Sequence, residues 1–121
     1  MHELSIAYNL VELASESAIQ AGAERVSAIH LRIGALSGVV RGALEFSYEI
    51  ATADTMLDHS ALFVKELPVR IFCLPCAAEV ELPSVQSFRC PQCNTPSGDV
   101  RQGREMEIES IEIEMPDSRT T

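Results

Sequence analysis

All four cysteines of the chain fall in two C-x-x-C pairs, Cys73-x-x-Cys76 and Cys90-x-x-Cys93, with residues 77–89 between them. Each pair brings two sulfurs together from one tight turn. Two such turns facing each other make a tetrahedral cage of thiolates, and the separation is close to that of four-cysteine zinc sites. Zinc favours a closed sulfur shell, and iron in a rubredoxin-like cage has the same geometry. No histidine or carboxylate stands within either C-x-x-C turn, and catalytic zinc keeps one position open, so the pattern reads as a structural metal site. A thioredoxin-type redox role needs a C-x-x-C at a helix start near a βαβ unit, and neither pair sits there. A chain of 121 residues holds one domain, or one domain plus a lobe too small to hold its own core. A metal would fold such a lobe: structural zinc contributes about 10–16 kcal/mol of apparent free energy in finger peptides.

On either side of the cysteines the hydrophobic pattern is regular. Residues 3–21 carry Leu4, Ala7, Leu10, Val11, Ala14, Ala18 and Ala21 at helical spacing, with Gly22 as a terminating residue. Residues 25–33 alternate, Ile29, Leu31 and Ile33 against His30 and Arg32, which predicts a half-buried strand. A turn follows at 34–38. Residues 40–53 predict a second helix, with Val40, Leu44, Ser47, Tyr48 and Ala51 on one face and Phe46 and Ile50 widening it. Residues 61–67 predict a second strand, closed by Pro68, which has no N–H to give a ladder. From 68 to 103 the periodicity dissolves, and a strand resumes over 104–115. There Met106 and Ile108 share one parity and Ile111, Ile113 and Met115 the other, which predicts a β-bulge near Glu109–Ser110. The expected fold is α+β: a small three-stranded sheet packed with two helices, plus an inserted four-cysteine zinc-ribbon lobe. The domains are then 1–67 with 104–121 as the body and 68–103 as the insertion.

Charge narrows the function. Nine Lys and Arg against eighteen Asp and Glu give a formal net charge of −9, and an acidic chain repels phosphate backbones. No basic stripe exists, residues 68–100 carry two Arg against three acids, Lys65 is the only lysine, and there is no Trp. A nucleic-acid-binding ribbon would be basic and studded with aromatics. No apolar run is long enough for a membrane span, and no charged n-region precedes an apolar core at the start, so a cytoplasmic protein is expected. Reducing cytosol also favours metal over disulfides at the cysteines. Gly-x-Ser-x-Gly, His-Glu-x-x-His and phosphate-loop motifs are all missing, which argues against a hydrolase.

The start of the chain offers a second donor set. Histidine is large, so an aminopeptidase that prefers small second residues would leave Met1 in place. The Met1 amine, the His2 amide and the His2 imidazole then form one short chelate, with the Glu3 amide or carboxylate as a further donor. Deprotonated amide nitrogens suit square-planar nickel or copper. On this chemistry alone the default reading of His2 is a solvated residue ahead of a helix.

The start Met-His-Glu-Leu-Ser-Ile-Ala, the stretch Leu31-Arg32-Ile33-Gly34-Ala-Leu-Ser-Gly38, the double C-x-x-C and the closing Gly103-Arg-Glu-Met-Glu-Ile-Glu-Ser-Ile-Glu-Ile-Glu114 together resemble the hydrogenase-maturation nickel metallochaperone family (HypA/HybF). The resemblance covers essentially the whole chain in order. It implies a non-enzymatic protein that holds Ni(II) as cargo at Met1, His2 and Glu3, and structural Zn(II) at Cys73, Cys76, Cys90 and Cys93. It also implies two partners, a nickel-binding GTPase and the large subunit of [NiFe]-hydrogenase, with neither nucleic acid nor a membrane span. In some relatives an acidic residue after the first strand is associated with nickel; here Val39-Val40-Arg41 offers no carboxylate. His30 and His59 read as ordinary surface or hydrogen-bonded histidines, and the carboxylates between Glu105 and Asp117 as a solvated strand face. The alternative to the metallochaperone is a zinc-ribbon protein-interaction or nucleic-acid-binding module.

Overall fold

The computed structural model describes residues 2–116. In chain order the elements are α1 (His2–Gln20), β1 (Arg25–Gly34), α2 (Arg41–Thr52), β2 (Ala61–Leu67), β3 (Arg70–Cys73), β4 (Ala78–Glu81), β5 (Val100–Gln102) and β6 (Met106–Glu114). They form two compact units: Met1–Leu31, Val39–Val64 and Ile108–Thr121 in one, Arg32–Gly38 and Lys65–Glu107 in the other. A three-stranded sheet has the order β2-β1-β6, and a second has the order β4-β3-β5.

In the first unit α1 buries Ala7, Leu10, Val11, Ala14 and Ala18, five of the seven residues the helical spacing singled out. The helix ends in a Schellman motif: Gly22 sits at φ 77, its N–H donates to Ile19 O, and Ala23 N–H donates to Ala18 O. A left-handed residue costs glycine nothing there, and the two bonds satisfy carbonyls the helix end leaves open. α2 packs against α1 and buries Leu44, Ser47, Tyr48 and Ala51. Phe46 and Ile50 do not widen that face: they are 65% and 46% exposed. At 100° per residue they lie toward the far side of the helix from Leu44 and Tyr48.

β1 keeps its expected start but carries both parities of burial. Val26 and Ala28 are buried, then Ile29, Leu31 and Ile33, so the buried phase changes at Ala28–Ile29. Along β6 half-buried and exposed positions alternate, with two consecutive exposed residues at Glu109 and Ser110. The phase change therefore falls where the parity of its isoleucines and methionine requires it.

The second unit holds the structure that periodicity did not reveal. β3 pairs antiparallel with β4, Ile71 opposite Val80 and Cys73 opposite Ala78, and with β5 on its other edge. Strands of three and four residues give too few alternations to be read from sequence. Their core is Val69, Ile71, Cys73, Val80, Leu82 and Cys90, with Leu36, Phe88 and Val100 packed against it. Gly34 closes β1 rather than opening a turn. A Cβ on Gly34 would lie 2.1 Å from the Gly103 carbonyl carbon and oxygen, so only glycine permits this backbone approach. Gly34 N–H donates to Glu105 O and Leu36 N–H to Gly103 O, at 2.8 and 2.7 Å.

Candidate metal centre

The two cysteine knuckles are built alike. Cys73 ends β3, and the turn through Leu74 and Pro75 closes with Ala77 N–H donating to Leu74 O. In the second knuckle Asn94 N–H donates to Cys90 O, and Cys90 N–H donates to Thr95 O. In each, the residue after the second cysteine is left-handed: Ala77 at φ 52 and Asn94 at φ 63. Asparagine tolerates that conformation well and alanine poorly.

These turns bring the four sulfurs within 4.8 Å of one another. Cys73 Sγ lies 3.4 Å from Cys93 Sγ, and Cys76 Sγ lies 3.9 Å from Cys90 Sγ. A tetrahedron with zinc–sulfur bonds of about 2.3 Å has edges of about 3.8 Å, and a disulfide needs about 2.05 Å. The cysteines are free thiols already spaced as metal ligands, and an all-sulfur, four-point shell fits structural zinc.

Proton affinities across the quartet diverge. The Thr95 hydroxyl, the Thr95 backbone amide and the Cys73 thiol lower Cys93 to about 6. Hydrogen bonds with Cys93 and Cys73, together with burial, push Cys76 up to about 12. For Cys73 the Cys76 amide pulls downward most strongly, but burial and the neighbouring Cys93 and Cys90 thiols outweigh it and raise the group. A bound dication overrides these preferences, because a coordinating thiol is deprotonated outright.

At the other candidate site, Met1 lies outside the described residues. His2 is the first residue of α1 and exposed, and its Nδ1 lies 3.6 Å from Glu3 Oε2. Helix geometry leaves the first amides of α1 without intrahelical acceptors. The His2 and Glu3 nitrogens are therefore available without breaking the helix. Glu3 has a second task that sequence reasoning missed: its Oε2 accepts the Val40 N–H at 3.2 Å. Val40 is the N-cap of α2 and caps nothing with its own side chain. Glu3 thus fills from a distant part of the chain the acceptor role that a glutamate in the first turn plays in a capping box. The Val40 amide is the main reason its carboxyl sits below the usual carboxylate range.

The other two histidines are not drawn into either set. His30 Nε2 meets Glu112 Oε2 at 2.6 Å, and its ring stacks on Phe63 with centroids 4.8 Å apart. His59, left-handed and exposed, has Nε2 3.8 Å from Asp58 Oδ1. Among the described residues the cysteine quartet is the one group of three or more metal-binding side chains that converge.

The family model described as "Hydrogenase/urease nickel incorporation, metallochaperone, hypA" matches residues 1–113. This chain belongs to the HypA family. Its work is nickel delivery for hydrogenase maturation rather than catalysis, and a nucleic-acid-binding ribbon is not favoured. The chain is 52% identical over 112 residues to the hydrogenase maturation factor HypA of Chloroflexus aurantiacus, covering 93% of this chain and 98% of the relative. It is 37% identical over 121 residues to that of Streptomyces avermitilis, covering 99% and 91%. The fold is similar to the solution structure of the Ni metallochaperone HypA from Helicobacter pylori, with TM-score 0.66 and 21% identity over 94% of this chain and 98% of that one. No helix among the described residues is long and apolar enough to cross a membrane.

Proposed function

We propose that the chain carries Ni(II) at its first three residues and holds zinc at Cys73, Cys76, Cys90 and Cys93. The Met1 amine, the His2 amide and the His2 imidazole make up the chelate. Glu3 completes it through its amide nitrogen, since one carboxylate oxygen is already engaged by Val40. The observation that carries this reading is the placing of His2 at the exposed start of α1, in a chain of the HypA family. The positive end of the helix favours the negative charge that amide deprotonation leaves behind. An exposed chelate also lets a recipient attack an open edge of the nickel without unfolding anything.

Residues 1–67 with 104–121 act as the nickel-binding body, and 68–103 as the inserted zinc lobe. The recipients are the nickel-binding GTPase of hydrogenase maturation and the large subunit of [NiFe]-hydrogenase, met in the cytoplasm. The test is nickel titration, followed by absorbance, of protein with a native Met1 terminus. Wild-type protein binds about one Ni(II) per chain and releases protons as it does so. His2→Ala loses that binding and keeps its zinc. Equal nickel binding by the variant overturns the terminal site.

A further inference from the structure

The four sulfurs are not equivalent, and the difference lies in what surrounds each one. Cys73 and Cys90 are 0% and 1% exposed and belong to the hydrophobic core of their unit. Cys76 is half-buried and packs against that core. Cys93 alone is exposed and stands outside the cluster. Backbone pairing follows the same order. Cys73 lies in register with Ala78, and Cys90 both donates to Thr95 O and accepts from Asn94 N–H. The Cys93 side chain has a polar neighbour instead, the Thr95 hydroxyl, 3.2 Å from its sulfur.

We propose that Cys93 is a modification site for soft carbon electrophiles, and the point at which the zinc site opens. The inference rests on the zinc reading above. If Cys73 or Cys90 left the metal, an anionic sulfur would be stranded among Ile71, Val80 and Leu82, without a solvent shell. A sulfur leaving from Cys93 is met by water and by the Thr95 hydroxyl. Access runs the same way, because an attacking reagent must reach the thiolate before it reacts.

With an activated alkene the step balances simply. The Cys93 thiolate forms a bond to the β-carbon, and the π pair moves to the carbon beside the carbonyl, which takes a proton from water. The product is a thioether, a far weaker donor, so the zinc–sulfur bond breaks. Cys73, Cys76 and Cys90 alone would then hold the metal, leaving it open to a competing chelator. No oxidant or reductant enters.

The test treats the zinc-loaded, full-length protein with limiting N-ethylmaleimide, quenches at intervals and maps adducts by peptide mass spectrometry. Zinc release is followed in parallel with a chromophoric chelator. Single-adduct chains should carry the label on Cys93 in about ten-fold excess over the other three sites combined, and zinc should leave at the rate of that first addition. A first adduct on Cys73, Cys76 or Cys90 overturns the assignment. So does labelling of all four together with no single-adduct stage, which would mean that the site opens only by unfolding. Metal analysis of the starting protein separates the two levels. A chain without zinc overturns the zinc reading and this inference with it, whereas full zinc with first labelling elsewhere overturns Cys93 alone.

Discussion

The two proposed metal sites of this chain are built on opposite principles. At the cysteine quartet, two hydrogen-bonded turns and a hydrophobic cluster bring four sulfurs within 4.8 Å of one another. At the N-terminus an exposed histidine begins a helix, and backbone nitrogens must lose protons before they can bind. The first arrangement retains its metal because the ligands are also part of a core. The second can release its metal because His2 is exposed and belongs to no core. The proposed resident ion and the proposed cargo ion thus meet different degrees of preorganisation.

The largest expected effect breaks the quartet. Replacing Cys90 with Ser, or stripping zinc with a strong chelator, should sharply weaken the hydrogen-exchange protection of β3, β4 and β5, since structural zinc contributes about 10–16 kcal/mol in small finger peptides. Hydrogen exchange of those strands measures it; retained protection would mean that the hydrophobic cluster suffices without metal. At the other site, His2→Ala should weaken nickel binding about a hundred-fold or more, about 2.7 kcal/mol, with no change in the same exchange pattern. A variant that also lost β3–β5 protection would erase the contrast between the sites.

A sharper test is the pH dependence of zinc binding. A thiol held above its ordinary value of 9 keeps its proton in the zinc-free fold, as Cys73 and Cys76 do, and must give it up to the metal. Cys93, lowered to about 6, is already a thiolate at neutral pH. Zinc binding at pH 7.5 should therefore release at least about two protons, and affinity should rise with pH. Below about pH 6 Cys93 takes up a proton too, so the dependence steepens there. The sign for the zinc-free fold follows. Its Cys93 thiolate contributes stability that is fully present above the unfolded value of 9 and is lost as pH falls through about 6. Calorimetry in buffers of different ionisation enthalpy counts the protons, and a count near zero would refute the assignment.

Smaller effects come from the struts around each site. Glu3→Gln keeps a carbonyl oxygen for Val40 N–H and should leave nickel affinity within a few-fold of wild type. Glu3→Ala removes that acceptor and should lower the thermal midpoint. A large loss of nickel in Glu3→Gln would show that the carboxylate itself is a ligand. Smallest of all, Ala77→Gly relieves a left-handed alanine at φ 52 and should stabilise the zinc lobe by about 0.5–1 kcal/mol. Denaturant midpoints of the zinc-loaded proteins detect it.

The helices were legible because each spans several turns, long enough for one buried stripe to repeat. Ala7, Leu10, Val11, Ala14 and Ala18 are the buried face of α1. The change of phase in β6 was legible too, because isoleucine parity cannot be satisfied without it. In β1 the same signal is present in Val26 and Ala28 against Ile29, but it is weak, since one small alanine weighs little beside three large aliphatics. The sheet β4-β3-β5 was not legible, because strands of three or four residues carry almost no period.

By itself the sequence determined the candidate metal donors and their grouping: spacing of two places a pair of sulfurs on one turn, and a second-position histidine can form a short chelate whatever the rest of the chain does. Such relations are local and need only covalent geometry. The tertiary structure alone decided which cysteine faces water, that Glu3 serves the start of α2 across residues 3 to 40, and that Phe46 and Ile50 stay exposed. Those outcomes depend on burial and on contacts between distant segments, and no local pattern encodes either.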